Sequence, residues 1–98
     1  MKTDNDIIRQ LLIIAYEKYA TGFLSKYGQE VIDMNIRKLN NNEIIGIQFT
    51  RIKPYFIYET INNPLKIPFE NVVYSFYANK ELIKYKRTLA VKELLNGK

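Results

Sequence analysis

The 98-residue sequence contains no histidine, no cysteine and no tryptophan, and only four glycines and three prolines. Without histidine or cysteine there is no imidazole base, no thiolate nucleophile, no disulfide and no thiolate zinc site. A nucleophile and its base would have to come from Ser, Lys, Tyr, Asp or Glu. The only serines, Ser25 and Ser75, stand outside any G-x-S-x-G or S-x-x-K setting. Gly22, Gly28, Gly46 and Gly97 are isolated, so the sequence has no phosphate-cradling glycine loop. The acids of the middle region, Asp33, Glu43 and Glu59, show no E-x-K or D-x-D spacing and read as solvated charges, not as ligands gathered around an ion. The expectation is a protein that is not an enzyme and takes no cofactor and no metal. The apolar run Leu11–Tyr16 is short for a membrane span or a signal segment. An intracellular, cytoplasmic protein without membrane contact is expected, and the missing cysteine fits a reducing compartment.

Hydrophobic residues make up 47 % of the chain and aromatics 13 %, which excludes a disordered or low-complexity protein. The length suits one domain, residues 1–98, with one core. Asn, Ile, Lys and Tyr are abundant, and AT-rich codons supply these residues. Only the placement of lysine and tyrosine, not their number, therefore carries information.

The spacing predicts a first helix from about residue 4 to about residue 26. Thr3 or Asp4 caps it, Asp6 lies in its first turn, and Gly28 follows its end. Ile7, Ile8, Leu11, Leu12, Ala15, Tyr16, Tyr19, Ala20 and Phe23 recur at three-to-four spacing. The main apolar arc spans about 140°, and Ile13, Ile14 and Leu24 fall outside it. Ile13 and Leu24 are therefore candidates for a dimer or partner interface, and a homodimer is expected.

Alternation of Ile32, Met34 and Ile36 with Asp33, Asn35 and Arg37 predicts a strand over 31–39. Asn40-Asn41-Asn42 reads as a turn, and Ile45, Ile47 and Phe49 mark a second strand over 44–52, completing a hairpin. Pro54 opens a strand over 55–61, and a loop with Pro64 and Pro68 covers 62–71. Residues 72–77 suit a short strand or the start of a helix, with the strand favoured. Asn79 then caps a last helix over 80–95. The fold class is α+β: an N-terminal helix, a three- or four-stranded antiparallel sheet, and a C-terminal helix. The expected core is Ile8, Leu11, Leu12, Ala15, Tyr19, Phe23, Ile32, Met34, Ile36, Ile45, Ile47, Phe49, Ile57, Leu89, Ala90 and Leu94.

The net charge is +5, and residues 79–98 carry most of the excess: Lys80, Lys84, Lys86, Arg87, Lys92 and Lys98 against Glu81 and Glu93. Lys80, Lys84 and Arg87 line one helical face within about 60°. Such a stripe suits phosphate contacts, since each neutralised phosphate releases counterions. The expected activity is nucleic-acid binding through Lys80, Lys84 and Arg87, with Lys86 and Lys92 assisting from the flanks. Arg51, Lys53 and Tyr55 are possible contacts on the sheet. The order helix, three strands, helix, with a basic last helix, is similar to the double-stranded RNA-binding domain. Asn79-Lys80-Glu81-Leu82 through Leu94-Leu95 looks like that family's second helix, with lysines early and alanine and leucine late. Phe76-Tyr77-Ala78 stand where the family places a glycine-bearing loop and a lysine pair. The competing reading is a protein-interaction module that works through apolar surface on the first helix and the Tyr-rich strands. Viruses and mobile elements use small non-catalytic proteins of this kind as accessory or inhibitor proteins.

Overall fold

The computed structural model describes residues 2–58 and 71–95. Three helices, α1 (Asp4–Tyr19), α2 (Phe23–Tyr27) and α3 (Glu30–Asn40), precede three strands, β1 (Ile44–Thr50), β2 (Pro54–Tyr58) and β3 (Val72–Tyr77), and α4 (Ala78–Leu95) follows. The strands form one antiparallel sheet in the order β2-β1-β3. The fold is α+β, as expected.

α1 starts at a capping box: Thr3 Oγ1 accepts from the Asp6 N–H at 3.2 Å, and the Asp6 carboxylate accepts from the Thr3 N–H at 3.2 Å. A cap of this kind stabilises a helix by about 1 kcal/mol. The single helix expected over 4–26 is broken. α1 ends at Tyr19, and Gly22, at φ 84°, starts α2 in a new direction. Gly28, at φ 87°, ends α2 by donating its N–H to the Leu24 carbonyl, the stop read from the sequence. Ile13 and Leu24 are both half-buried against the core. Their expected exposure, and with it the original motive for a homodimer, is thereby removed. Ile14 alone of the three stays exposed.

Residues 31–39 are helical, not a strand, so the expected hairpin does not form. Ile32 and Ile36 satisfy both a two-residue and a helical period, and Leu39 extends only the helical one. The polar member of the buried face is Asn35, which hid the helical stripe in the sequence. Glu30 and Asp33 in the first turn, and Arg37 and Lys38 in the last, also suit the helix dipole. Asn42, at φ 60°, then redirects the chain into β1.

β1 is the central strand. A shift of register between Ile44 and Gly46 buries Ile44 and leaves Ile45 exposed, against its expected core position. Pro54 opens β2 as expected; residues 59–61 of that expected strand and 62–70 of the expected loop lie outside the described residues. Residues 72–77 are the favoured strand. Asn79 lies inside α4 and not at its cap. With three helices before the sheet, the element order behind the likeness to the double-stranded RNA-binding domain does not hold.

Leu12, Ala15, Tyr16, Ile32, Ile36, Ile44, Ile47, Phe49, Phe76 and Ala78 form the core. Tyr16 meets Phe49 edge-on, with centroids 5.0 Å apart, a geometry worth about 0.5–1.5 kcal/mol beyond area burial. Met34, Leu89, Ala90 and Leu94, expected in the core, are exposed. Met34 lies on the outer side of a helix instead of the inner face of a strand. The other three lie beyond the first two turns of α4, where every described residue is exposed.

Gly46 is the tightest point: a Cβ there would sit 2.1 Å from the Phe76 carbonyl oxygen, part of the backbone of β3. Gly46→Ala is expected to cost about 3 kcal/mol or more, because the strand pairing itself must shift. Gly28→Ala, with open space around its Cβ but a left-handed backbone, is expected to cost about 1–2 kcal/mol. Urea unfolding followed by circular dichroism measures both.

Candidate binding surfaces

Two surfaces stand out, α4 and a cleft beside β2. On α4, Glu81, Leu82 and Tyr85 are half-buried and Ala78 is buried, while every residue from Lys86 to Leu95 is exposed. The helix therefore packs through its first two turns, and the following stretch of about 15 Å meets α1 only along an exposed groove. Lys80, Lys84 and Arg87 share one exposed face, as expected from their spacing, and line a shallow recess with Ile83 and Thr88. Among the described residues none of the three makes an ion pair. The nearby acid Glu81 accepts a hydrogen bond from the Tyr74 hydroxyl. The flanking pair divides: Lys86 binds Asp4 at 3.1 Å, and Lys92 lines the groove between α1 and α4 with Leu11, Tyr85 and Leu89.

The basic stripe continues beyond its predicted end. Lys80, Lys84, Arg87, Val91 and Leu95 recur at i, i+4, i+7, i+11 and i+15, so one face is cationic first and apolar afterwards. Val91 is 54 %, Leu94 72 % and Leu95 81 % exposed, and Ile83 beside them is 53 % exposed. The sequence reading placed Leu94 in the core and passed over the rest, since apolar residues on a terminal helix ordinarily face the body.

Arg51, Lys53 and Tyr55 lie at the other end of the sheet. Thr50 pairs with Val72, whereas Gly46 pairs with Tyr77, the residue before α4. The two expected contact sets are thus not brought together. The turn from β1 to β2 is fixed by Thr50, whose Oγ1 accepts from the N–H groups of Ile52 and Lys53 at 3.1 Å each and donates to the Lys53 carbonyl at 2.8 Å. Lys53 Nζ stands 5.1 Å from the Tyr55 ring centroid.

Lys53 and Tyr55 border a cleft of about 730 Å³ between α2, α3 and β2. Its inner end holds a polar pair that the sequence reading missed. Asn35 is 0 % exposed and donates from Nδ2 to the Tyr16 hydroxyl at 2.6 Å. Asn35 Oδ1, also buried, has no hydrogen-bond partner among the described residues. An unmet buried acceptor costs about 1–3 kcal/mol. The available signal was an asparagine inside an otherwise apolar face of residues 31–39.

Of the middle acids, Asp33 pairs with Arg9, and Glu43 with Lys38 at 3.7 Å; Glu59 lies outside the described residues. Among the described residues no group of acids could hold a metal ion, and no helix is long and apolar enough to cross a membrane.

The tyrosines set the alkaline limit of the fold. Burial, then the Glu81 carboxylate, pushes the Tyr74 hydroxyl up to about 12. Burial pushes Tyr16 up as well, against the Asn35 hydrogen bond that lowers it. Both keep their protons in the folded chain where an unfolded tyrosine, with its ordinary value of 10.0, loses its own. The stability they contribute is therefore intact below about pH 10 and lost as pH rises towards about 12. Urea midpoints are expected to hold from about pH 7 to 9 and fall steeply above about 10, with a shallower fall for Tyr74→Phe.

No family model, no curated protein and no solved structure matches the chain.

Proposed function

We propose that this chain is a non-catalytic interaction protein that holds a protein partner on the outer face and last turns of α4. The observation that carries the reading is the exposure of Val91, Leu94 and Leu95 on a helix whose residues from Lys86 to Leu95 are all exposed. Scattered exposed leucines are ordinary, but a contiguous apolar patch marks an interaction surface. A helical segment of this length is also marginal in water without tertiary contacts, so a partner that covers it stabilises it. The stripe defines the partner's chemistry: an apolar patch for Val91 and Leu95 next to acids that meet Arg87, Lys84 and Lys80. Phosphate backbone would use the cations and leave the apolar end in water. The apolar surface invoked lies on α4, not at Ile13, Leu24 or the strands.

A photoreactive residue at position 94 is expected to give a protein adduct of discrete mass in cells that make the chain. The same residue at position 17 on α1 is expected to give none. An adduct of twice the chain mass would identify a second copy as the partner. Adducts to nucleic acid alone, or the same adducts from both positions, would overturn the reading. Leu94→Glu with Leu95→Glu is expected to abolish the adduct formed from position 91 and to change folding stability by no more than about 0.5 kcal/mol.

A second reading, nucleic-acid binding, draws its support from Lys80, Lys84 and Arg87, which stand exposed without an ion-pair partner among the described residues. Under it, oligonucleotides bind largely without sequence preference, and affinity falls steeply with salt. Lys84→Ala with Arg87→Ala then lowers the salt slope by about 0.9 per lost contact on duplex DNA. Absence of binding at about 50 mM salt, where electrostatic affinity is generous, removes this reading.

A further inference from the structure

α4 has a second surface, the groove of about 440 Å³ that it forms with Leu11 of α1. Glu81, Tyr85, Thr88 and Lys92 line it at i, i+4, i+7 and i+11, the spacing of a coiled-coil seam. This seam lies about 90° round the helix from the centre of the stripe that runs from Lys80 to Leu95, so neither surface depends on the other. Leu11 and Tyr85 are half-buried and Leu89 is 45 % exposed, which leaves an apolar floor open to solvent.

The seam complements itself in one direction only. Its ends carry opposite charges, Glu81 at the start and Lys92 about 16 Å further along the helix. Two copies of α4 laid in the same direction would set Glu81 against Glu81 and Lys92 against Lys92. Laid antiparallel, Glu81 of each copy meets Lys92 of the other, and Tyr85 meets Thr88 between them. Lys84, at the edge of the groove, then lies against Leu89 of the other copy and opposes no like charge. The Glu81 carboxylate, already bonded to the Tyr74 hydroxyl, has lone pairs left for a second donor. A surface that complements itself about a two-fold axis closes as a dimer. We propose that a second copy of this chain docks in the groove between α1 and α4, with the two α4 helices antiparallel and a Glu81–Lys92 pair at each end of the seam. The apolar floor is small and the pairs are exposed to water, so the dimer is weak and forms at high concentration.

Sedimentation equilibrium of the full chain, from about 10 μM to about 1 mM, is expected to show the mass rising from one chain towards two. Lys92→Glu changes an exposed residue and sets like charges at both ends, and is expected to weaken self-association about tenfold. Glu81→Gln keeps an acceptor for the Tyr74 hydroxyl, and is expected to weaken it about threefold. Mixed together, with one of them carrying a fluorophore, the Glu81→Gln and Lys92→Glu chains regain one attractive pair. They are expected to bind each other more tightly than either binds itself. A mass of one chain up to about 1 mM overturns the proposal. A dimer that Lys92→Glu leaves unchanged overturns it too, as does one that Leu94→Glu with Leu95→Glu abolishes, which would place the contact on the outer face. Equal affinities in the mixture overturn the antiparallel register.

Discussion

The close approach of β1 to β3 at Gly46 governs the placement of everything after residue 71. A side chain at Gly46 would have to occupy the space of the Phe76 carbonyl, and no rotamer change relieves a clash with backbone. The absent Cβ allows β3 to pair with β1 through Tyr77, and Ala78, the next residue, starts α4 inside the core. The direction of α4 across α1, and so the placement of its last turns, follows from that pairing. The irregularity beside Gly46 also turns Ile44 inward and Ile45 outward, so one small residue decides both a strand pairing and which isoleucine joins the core.

On the other side of β1 the helices depend on a polar contact in an apolar setting. Tyr16 of α1 and Asn35 of α3 join by a buried hydrogen bond over Ile47 and Phe49. Burying these two groups is tolerable because each partly satisfies the other, and the pair fixes α3 against α1 more specifically than apolar contacts would. The same pair leaves one buried acceptor, Asn35 Oδ1, without a partner among the described residues.

The two surfaces carry cations for different physical reasons. On α4 the charges precede an apolar tip on the same helical face, and the stripe is long and open. At the cleft, Lys53 stands beside the Tyr55 ring on an open rim. Water screens the first set almost fully. Lys53 is exposed as well, and water screens it likewise.

The sequence by itself determined the α+β class, the capped start of α1, the stop at Gly28, the opening of β2 at Pro54 and the common face of Lys80, Lys84 and Arg87. Each is a local matter of capping, backbone freedom or spacing along one element. Residues 31–39 were beyond its reach because Ile32 and Ile36 fit two periods, and only packing against α1 and β1 shows that Asn35 belongs inside. The tertiary structure alone decided that α1 breaks at Gly22, that Ile13 and Leu24 turn inward, and that α4 runs past the body with Leu94 and Leu95 in water. Whether an apolar residue is covered depends on where neighbouring elements end, and no periodicity within a single helix encodes that length.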